Sequence, residues 1–185
     1  MKSFSALQNK QLEETLNTLT LIVDTREHDT IELQQRVRQT GLPFVREKLD
    51  YGDYSARIST DGGSINLSAR FAIERKMSLD ELALCLTSER ERFVAEFERA
   101  WQNKARLYLL IENGSFERIN QGAYRSHMNP AAYMASVFAF MARYDCQVLF
   151  CTPNLTGRVI REIVIRETKE FLREFLRGLD KEAKI

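Results

Sequence analysis

The chain has 185 residues, 44% apolar and 29% charged, enough for one domain with a sizeable core and too well balanced for wholesale disorder. Its longest nearly apolar run, Met134 to Ala142, falls far short of the ~20 residues that span a bilayer, and no apolar stretch follows the first lysine, so neither a membrane protein nor a secretory signal is expected. The net charge is +1, from 27 basic and 26 acidic side chains, so there is no basic tail. This does not exclude nucleic acid, because acidic groups around a metal would cancel basic groups at the rim. The basic side chains are mostly arginine, whose fork suits phosphate oxygens, although a composition bias gives the same count.

Residues 3–19 place Phe4, Leu7, Leu12, Leu16 and Leu19 on one face of a predicted helix. Thr20 to Asp24 reads as a buried strand ending on a carboxylate. Thr30 to Thr40 reads as a helix closed by Gly41. Strands are predicted at Pro43–Lys48 and Tyr51–Ser59, then across the turn signal Asp61-Gly62-Gly63 at Ser64–Ser68 and Phe71–Arg75. Ser78-Leu79-Asp80-Glu81 is a capping-box pattern ahead of a helix. A second helix follows from Arg90 to Asn103, then a strand at Arg106–Glu112 and a polar loop over 113–128. Asn129-Pro130 opens another helix, Gln147–Cys151 is a strand, and Thr156–Leu179 is a long amphipathic helix.

Helices thus alternate with strands after an antiparallel start, which predicts an α/β fold with a mixed central sheet flanked by helices. Cys85, Cys146 and Cys151 lack any CxxC pairing and sit among apolar neighbours; buried free thiols and a reducing, cytoplasmic compartment are expected.

The chemistry lies where strands end. Asp24 closes one strand, Asp53 follows Gly52, and Glu74 stands two residues before Lys76, on the same face of a strand. If the strands are neighbours, these four meet at one sheet edge. Carboxylates are hard ligands for Mg²⁺ or Mn²⁺, and a lysine beside them can orient water and offset developing charge. An isolated acid-x-Lys triplet is usually no more than a solvated strand.

The segments Ile22-Val23-Asp24-Thr25-Arg26-Glu27, Leu49-Asp50-Tyr51-Gly52-Asp53-Tyr54 and Ile73-Glu74-Arg75-Lys76-Met77-Ser78-Leu79-Asp80 closely resemble the nuclease domain of the XPF family, metal-dependent and structure-specific DNA endonucleases. The family pattern, GD followed at a distance by ERKxxxD, is matched without departure, and two separated elements of fixed internal spacing must coincide for that. The likeness extends from about Thr20 to about Cys151, helped by Tyr108-Leu109-Leu110-Ile111-Glu112 and Gly122-Ala123-Tyr124-Arg125-Ser126.

The resemblance implies a restriction-endonuclease-like core over residues 20–185, with 1–19 as a helical extension. It implies that Asp24, Asp53 and Glu74 hold the metal with the carbonyl of Arg75, and that Lys76 positions the attacking water. Arg26 and Arg75 would support the carboxylates or the scissile phosphate, and hydrolysis would leave a 5′-phosphate. Homodimerisation is implied too, through the last helix and the strand before it. The glycine hairpins of a helix-hairpin-helix module do not follow Cys151.

Some residues divide between two roles. Asp80 completes the motif as a catalytic candidate, yet a carboxylate in the first turn of a helix also favours the dipole, and a bond to Arg75 competes with metal contact. Tyr124 and Arg125 are DNA-contact candidates, with packing the simpler role for the tyrosine. Glu27 is open between support and exposure, and His28 and His127 read as loop histidines. A scaffold subunit that only positions a partner is the alternative function. A phosphatase starting at Asp24 fails, because Arg26 stands where a second aspartate is required.

Overall fold

β1 (Thr20–Val23) is short and apolar, with three of its four residues buried. A strand buried on both faces belongs inside a sheet. The computed structural model, which describes residues 6–60 and 62–182, places it there. β1 pairs in parallel with β2 (Phe44–Arg46) and antiparallel with β3 (Tyr54–Thr60). β3 forms a hairpin with β4 (Gly63–Asn66) and touches β5 (Phe71–Lys76) through the pair Tyr54↔Ile73. β5, β6 (Arg106–Glu112) and β7 (Gln147–Cys151) run parallel. The seven-stranded sheet has the order β2-β1-β3-β5-β6-β7, with β4 attached to β3.

Helices cover both faces. α1 (Ala6–Leu16), α2 (Ile31–Thr40) and α7 (Pro153–Glu182) pack with Leu21, Val23, Tyr54, Ile73 and Leu110. α3 (Leu79–Leu86), α4 (Arg90–Gln102), α5 (Phe116–Asn120) and α6 (Pro130–Tyr144) pack with Ala72, Leu107, Leu109 and Ile111. Successive residues of β5 and β6 therefore serve opposite cores, as strand alternation requires. Phe93, Phe97 and Phe140 form an aromatic centre in the second core, with ring centroids 4.7–5.2 Å apart.

The expected helix starts are capped by side chains. Thr30, Ser78 and Asn129 accept from backbone N–H groups of the first turns of α2, α3 and α6, and Gly41 ends α2 at φ 60°.

Several element bounds differ from expectation, by up to three residues, and one helix was not expected. β3 begins at Tyr54 rather than Tyr51, because Gly52 turns the backbone to φ 71°. β2 keeps only three of the six expected residues. The polar loop contains α5, capped by Ser115, which turns Phe116 and Ile119 toward the core. α7 begins at Pro153, three residues before Thr156, since proline in a first turn forfeits no helical bond. Phe4 and Asp61 lie outside the described residues, as do the side chains of Leu7 and Leu179. Among the described residues no helix is long and apolar enough to cross a membrane.

Candidate active site

Backbone bonds fix the site before any side chain does. The Asp24 N–H donates to the Asp53 carbonyl and the Asp53 N–H to the Ile73 carbonyl, both at 2.8 Å, tying the ends of β1, β3 and β5 together. Gly52 makes this junction possible: a Cβ there would lie 2.9 Å from Ala72 Cβ and 3.1 Å from the Ile73 carbonyl oxygen. Its N–H donates to Glu96 Oε1 of α4 at 2.7 Å.

Asp53 Oδ2 accepts from the Arg75 N–H at 2.8 Å. Glu74 and Lys76, on one face of β5, meet with Nζ 2.6 Å from Oε1, and both are buried. The Lys76 ammonium also lies 5.3 Å from the Phe93 ring centre. Burial, then the charge of Glu96, pushes Glu74 up to about 7 against the pull of Lys76. Asp53 is pushed well above the carboxylate range by burial and by the charges of Glu74 and Glu27. Burial works against the Lys76 charge, but Glu74 more than reverses it, so the ammonium stays protonated.

Asp24 is held by donors of its own chain. Its Oδ1 accepts from the N–H and Nε of Arg26 at 2.7 and 2.8 Å, and its Oδ2 from Arg26 Nη2 and from the Leu49 N–H at 3.2 and 2.6 Å. Burial raises its pKa, yet these donors outweigh burial and leave it below the usual value. Both oxygens are engaged within the chain, by Arg26 and by the Leu49 N–H. Asp24 anchors Arg26, whose side chain is otherwise exposed at the site's edge.

Glu27 is half-buried nearby. Its Oε2 accepts from the Tyr54 hydroxyl at 3.3 Å and lies 3.6 Å from Arg36 Nη1, and its charge is felt at Asp53. Arg75 points to the opposite face from Glu74 and Lys76. Its guanidinium donates to both oxygens of Glu112 at 3.0 and 2.9 Å. Glu112 also accepts from Thr156 Oγ1 at 2.6 Å and lies 3.8 Å from Arg36.

Asp80 does not reach Arg75. Its Oδ1 accepts from the N–H groups of Arg125 and Ser126 at 2.6 and 2.8 Å, and its Oδ2 from Arg125 Nε at 3.3 Å. Tyr124, half-buried, packs edge-on against Tyr133 at 5.1 Å and donates its hydroxyl to the Met128 carbonyl at 2.8 Å. The Arg125 guanidinium is exposed. His28 and His127 are exposed in loops.

Asp53, Glu74 and Lys76 are therefore brought together, while Asp24 and Asp80 serve other partners. Glu96, Arg36 and Glu112 were missed by the sequence reading. Only Glu112, as the last residue of an apolar strand, carried a local signal. The pair Asp53 and Glu74 fits a hard divalent cation: burial raises both carboxyl groups, with Glu96 adding to Glu74 and Glu74 adding to Asp53, and such an ion would relieve that cost. Among the described residues no three His, Cys, Asp or Glu side chains are arranged to hold a metal together.

A family model for the ERCC4 domain matches residues 23–163, and the chain belongs to that family. Its fold is that of XPF-type nuclease domains. It is similar to XPF from Aeropyrum pernix, with TM-score 0.57 and 20% identity, over 78% of this chain and 59% of that one. It is likewise similar to the same protein in complex with DNA, with TM-score 0.59 and 20% identity, over 82% of this chain and 66% of that one. The chain thus spans under two thirds of these proteins' length. Among curated protein sequences nothing matches it.

Proposed function

We propose that the chain is a divalent-metal-dependent, structure-specific DNA endonuclease that hydrolyses phosphodiester bonds near branched or single/double-strand junctions. The observation that carries this reading is the Asp53–Glu74–Lys76 group, fixed by backbone bonds at the joined ends of β3 and β5. Membership of the ERCC4-domain family supports it, as does the likeness to an XPF solved with DNA.

Asp53 and Glu74 would hold Mg²⁺ or Mn²⁺. When bound, the ion polarises a phosphoryl oxygen and lowers the pKa of water. Lys76 is protonated, so it would donate to the attacking water, orienting it, or to the phosphoryl oxygens on which charge develops, rather than take a proton. Arg26, held by Asp24, and Arg125, held by Asp80, carry exposed guanidinium groups suited to phosphate oxygens of the flanking backbone.

A non-catalytic subunit that binds DNA and positions a partner is the second reading. What favours it is the commitment of Asp24 to Arg26 and the lack of a three-ligand cluster among the described residues. Incubation with labelled flap, fork, nicked and plain duplex DNA in Mg²⁺, Mn²⁺ or EDTA separates the two. Cleavage near junctions that EDTA stops supports the enzyme; binding without cleavage in either metal supports the scaffold.

We further propose that residues 20–185 form the nuclease domain, with 1–19 as an extension, that the protein acts as a homodimer, and that it works in the cytoplasm. Thiols at Cys85 and Cys146 are buried and unpaired, while Cys151 is half-buried beside Thr156. Free thiols suit a reducing compartment.

A further inference from the structure

We propose that Asp80 is a positioning residue that clamps segment 121–128 onto the first turn of α3, and so holds Arg125 at the rim of the cleft where a DNA phosphate would pass. The inference rests on the endonuclease reading for its substrate, but the clamp itself rests on geometry. One carboxylate oxygen accepts two consecutive backbone N–H groups, from Arg125 and Ser126, and the other oxygen accepts the Arg125 side chain. A carboxylate shared in this way fixes the path of the backbone, not merely one side chain.

The rest of the segment is fastened around that point. The Tyr133 hydroxyl of α6 donates to the Leu79 carbonyl at 2.6 Å, and Tyr124 packs on Tyr133. Tyr124 donates to the Met128 carbonyl, and the Met128 N–H donates to Ser126 Oγ at 3.2 Å. Asp80 is the only member of this set that joins the segment to α3 through hydrogen bonds with consecutive backbone amides. Arg125 then lines a cleft of about 400 Å³ together with Arg36, Arg75, Met77, Ser78 and Glu112, on the face of β5 opposite Glu74 and Lys76 and beyond the strand end that carries them. Arg36 and Arg75 are turned to Glu112 and Glu27, whereas the Arg125 side chain is 92% exposed and only one of its nitrogens bonds to Asp80. It is the cation of this cleft with room to meet a phosphate. A loose segment would have to be ordered on binding, at a cost in affinity.

The clamp and a metal-ligand role make opposite demands on one substitution. In Asp80→Asn the amide oxygen still accepts both backbone N–H groups, while the amide nitrogen no longer accepts from Arg125 Nε and the group carries no charge for a metal. We expect D80N to keep its saturated cleavage rate and its KM for a junction substrate within about threefold of wild type. D80A and R125A should raise KM about tenfold while the saturated rate stays within about threefold. The Mn²⁺ concentration for half-maximal rate should not move in any of the three.

Amide hydrogen exchange, read without DNA or metal, should be faster at Arg125 and Ser126 in folded D80A and unchanged in D80N. If D80N loses cleavage as fully as Glu74→Gln, or shifts the Mn²⁺ requirement, Asp80 serves the chemistry and the clamp is overturned. Wild-type KM and exchange in D80A overturn it as well. Should wild type not cleave at all, the endonuclease reading fails, while exchange and DNA affinity still decide the clamp. Should D80A fail to fold, D80N and R125A carry the test.

Discussion

Gly52 holds Asp53 in place by having no side chain. Its positive φ and the 2.9 Å approach of a built Cβ to Ala72 leave no room for alanine. Gly52→Ala should cost about 1–3 kcal/mol, lowering the melting temperature by roughly 2–4 °C per kcal/mol in a chain of this size. Calorimetry checks this; an unchanged transition would mean that the strand junction can shift without strain. Asp53→Asn, Glu74→Gln and Lys76→Ala should each slow cleavage by a factor of at least about 10² while leaving DNA affinity within about threefold. A near wild-type rate at saturating metal in any one of them removes that residue from the chemistry. Strand alternation makes Glu74 and Lys76 legible as a pair, and the GD motif marks Asp53. The turning of Asp24 onto Arg26 is not legible, because a two-residue turn after a strand can aim a carboxylate either way. Glu96, whose carboxylate meets Gly52 across 44 residues, belongs to no local pattern.

At the level of elements, the ends of β5 and β6 are joined by Arg75 and Glu112 and tied to the helical layer by Arg36 and Thr156. Burial raises the Glu112 pKa, but hydrogen bonds from Arg75 and Thr156 outweigh it and leave the group below its ordinary value. A carboxyl whose folded pKa is depressed binds fewer protons folded than unfolded, so it adds stability above the ordinary carboxylate range and loses it as pH falls through the folded value. Glu112→Gln should cost about 3 kcal/mol near neutrality by leaving Arg75 and Arg36 short of a counter-charge. Its urea stability should also fall less steeply than wild type below about pH 4.5. Parallel acid profiles would contradict the assignment. α2 and α7 cross at Gly157, where a Cβ would lie 2.4 Å from the Arg36 carbonyl oxygen and 2.5 Å from Gln39 Cβ. Gly157→Ala should push the helices apart and destabilise the fold by about 1–3 kcal/mol, visible as a lower urea midpoint. Caps at Thr30, Ser78 and Asn129 and the apolar strands make the elements legible in the sequence. Such a crossing is not, because a helical glycine carries no sign of what packs on it.

At the scale of the whole molecule, α7 gives much of its apolar stripe to its own chain. Ile160, Ile163, Val164 and Leu172 are buried, whereas Phe175 is exposed and Phe171 and Leu176 are half-buried. The proposed homodimer would use this remainder and the edge strand β7. Light scattering at micromolar concentration should give about twice the 21.5 kDa chain mass, and Phe175→Glu should return it to the monomer; a wild-type monomer removes the dimer from the account. The central claim is that Asp53, Glu74 and Lys76 form a metal-dependent phosphodiesterase centre. The most direct measurement is single-turnover cleavage of an end-labelled fork and a plain duplex by wild type and Glu74→Gln, each with Mn²⁺ or EDTA. The account predicts cleavage near the fork junction by wild type with Mn²⁺ alone, and none by Glu74→Gln, which still binds the fork. Cleavage that persists in EDTA or in Glu74→Gln, or a wild type that binds the fork and never cuts it, would contradict it.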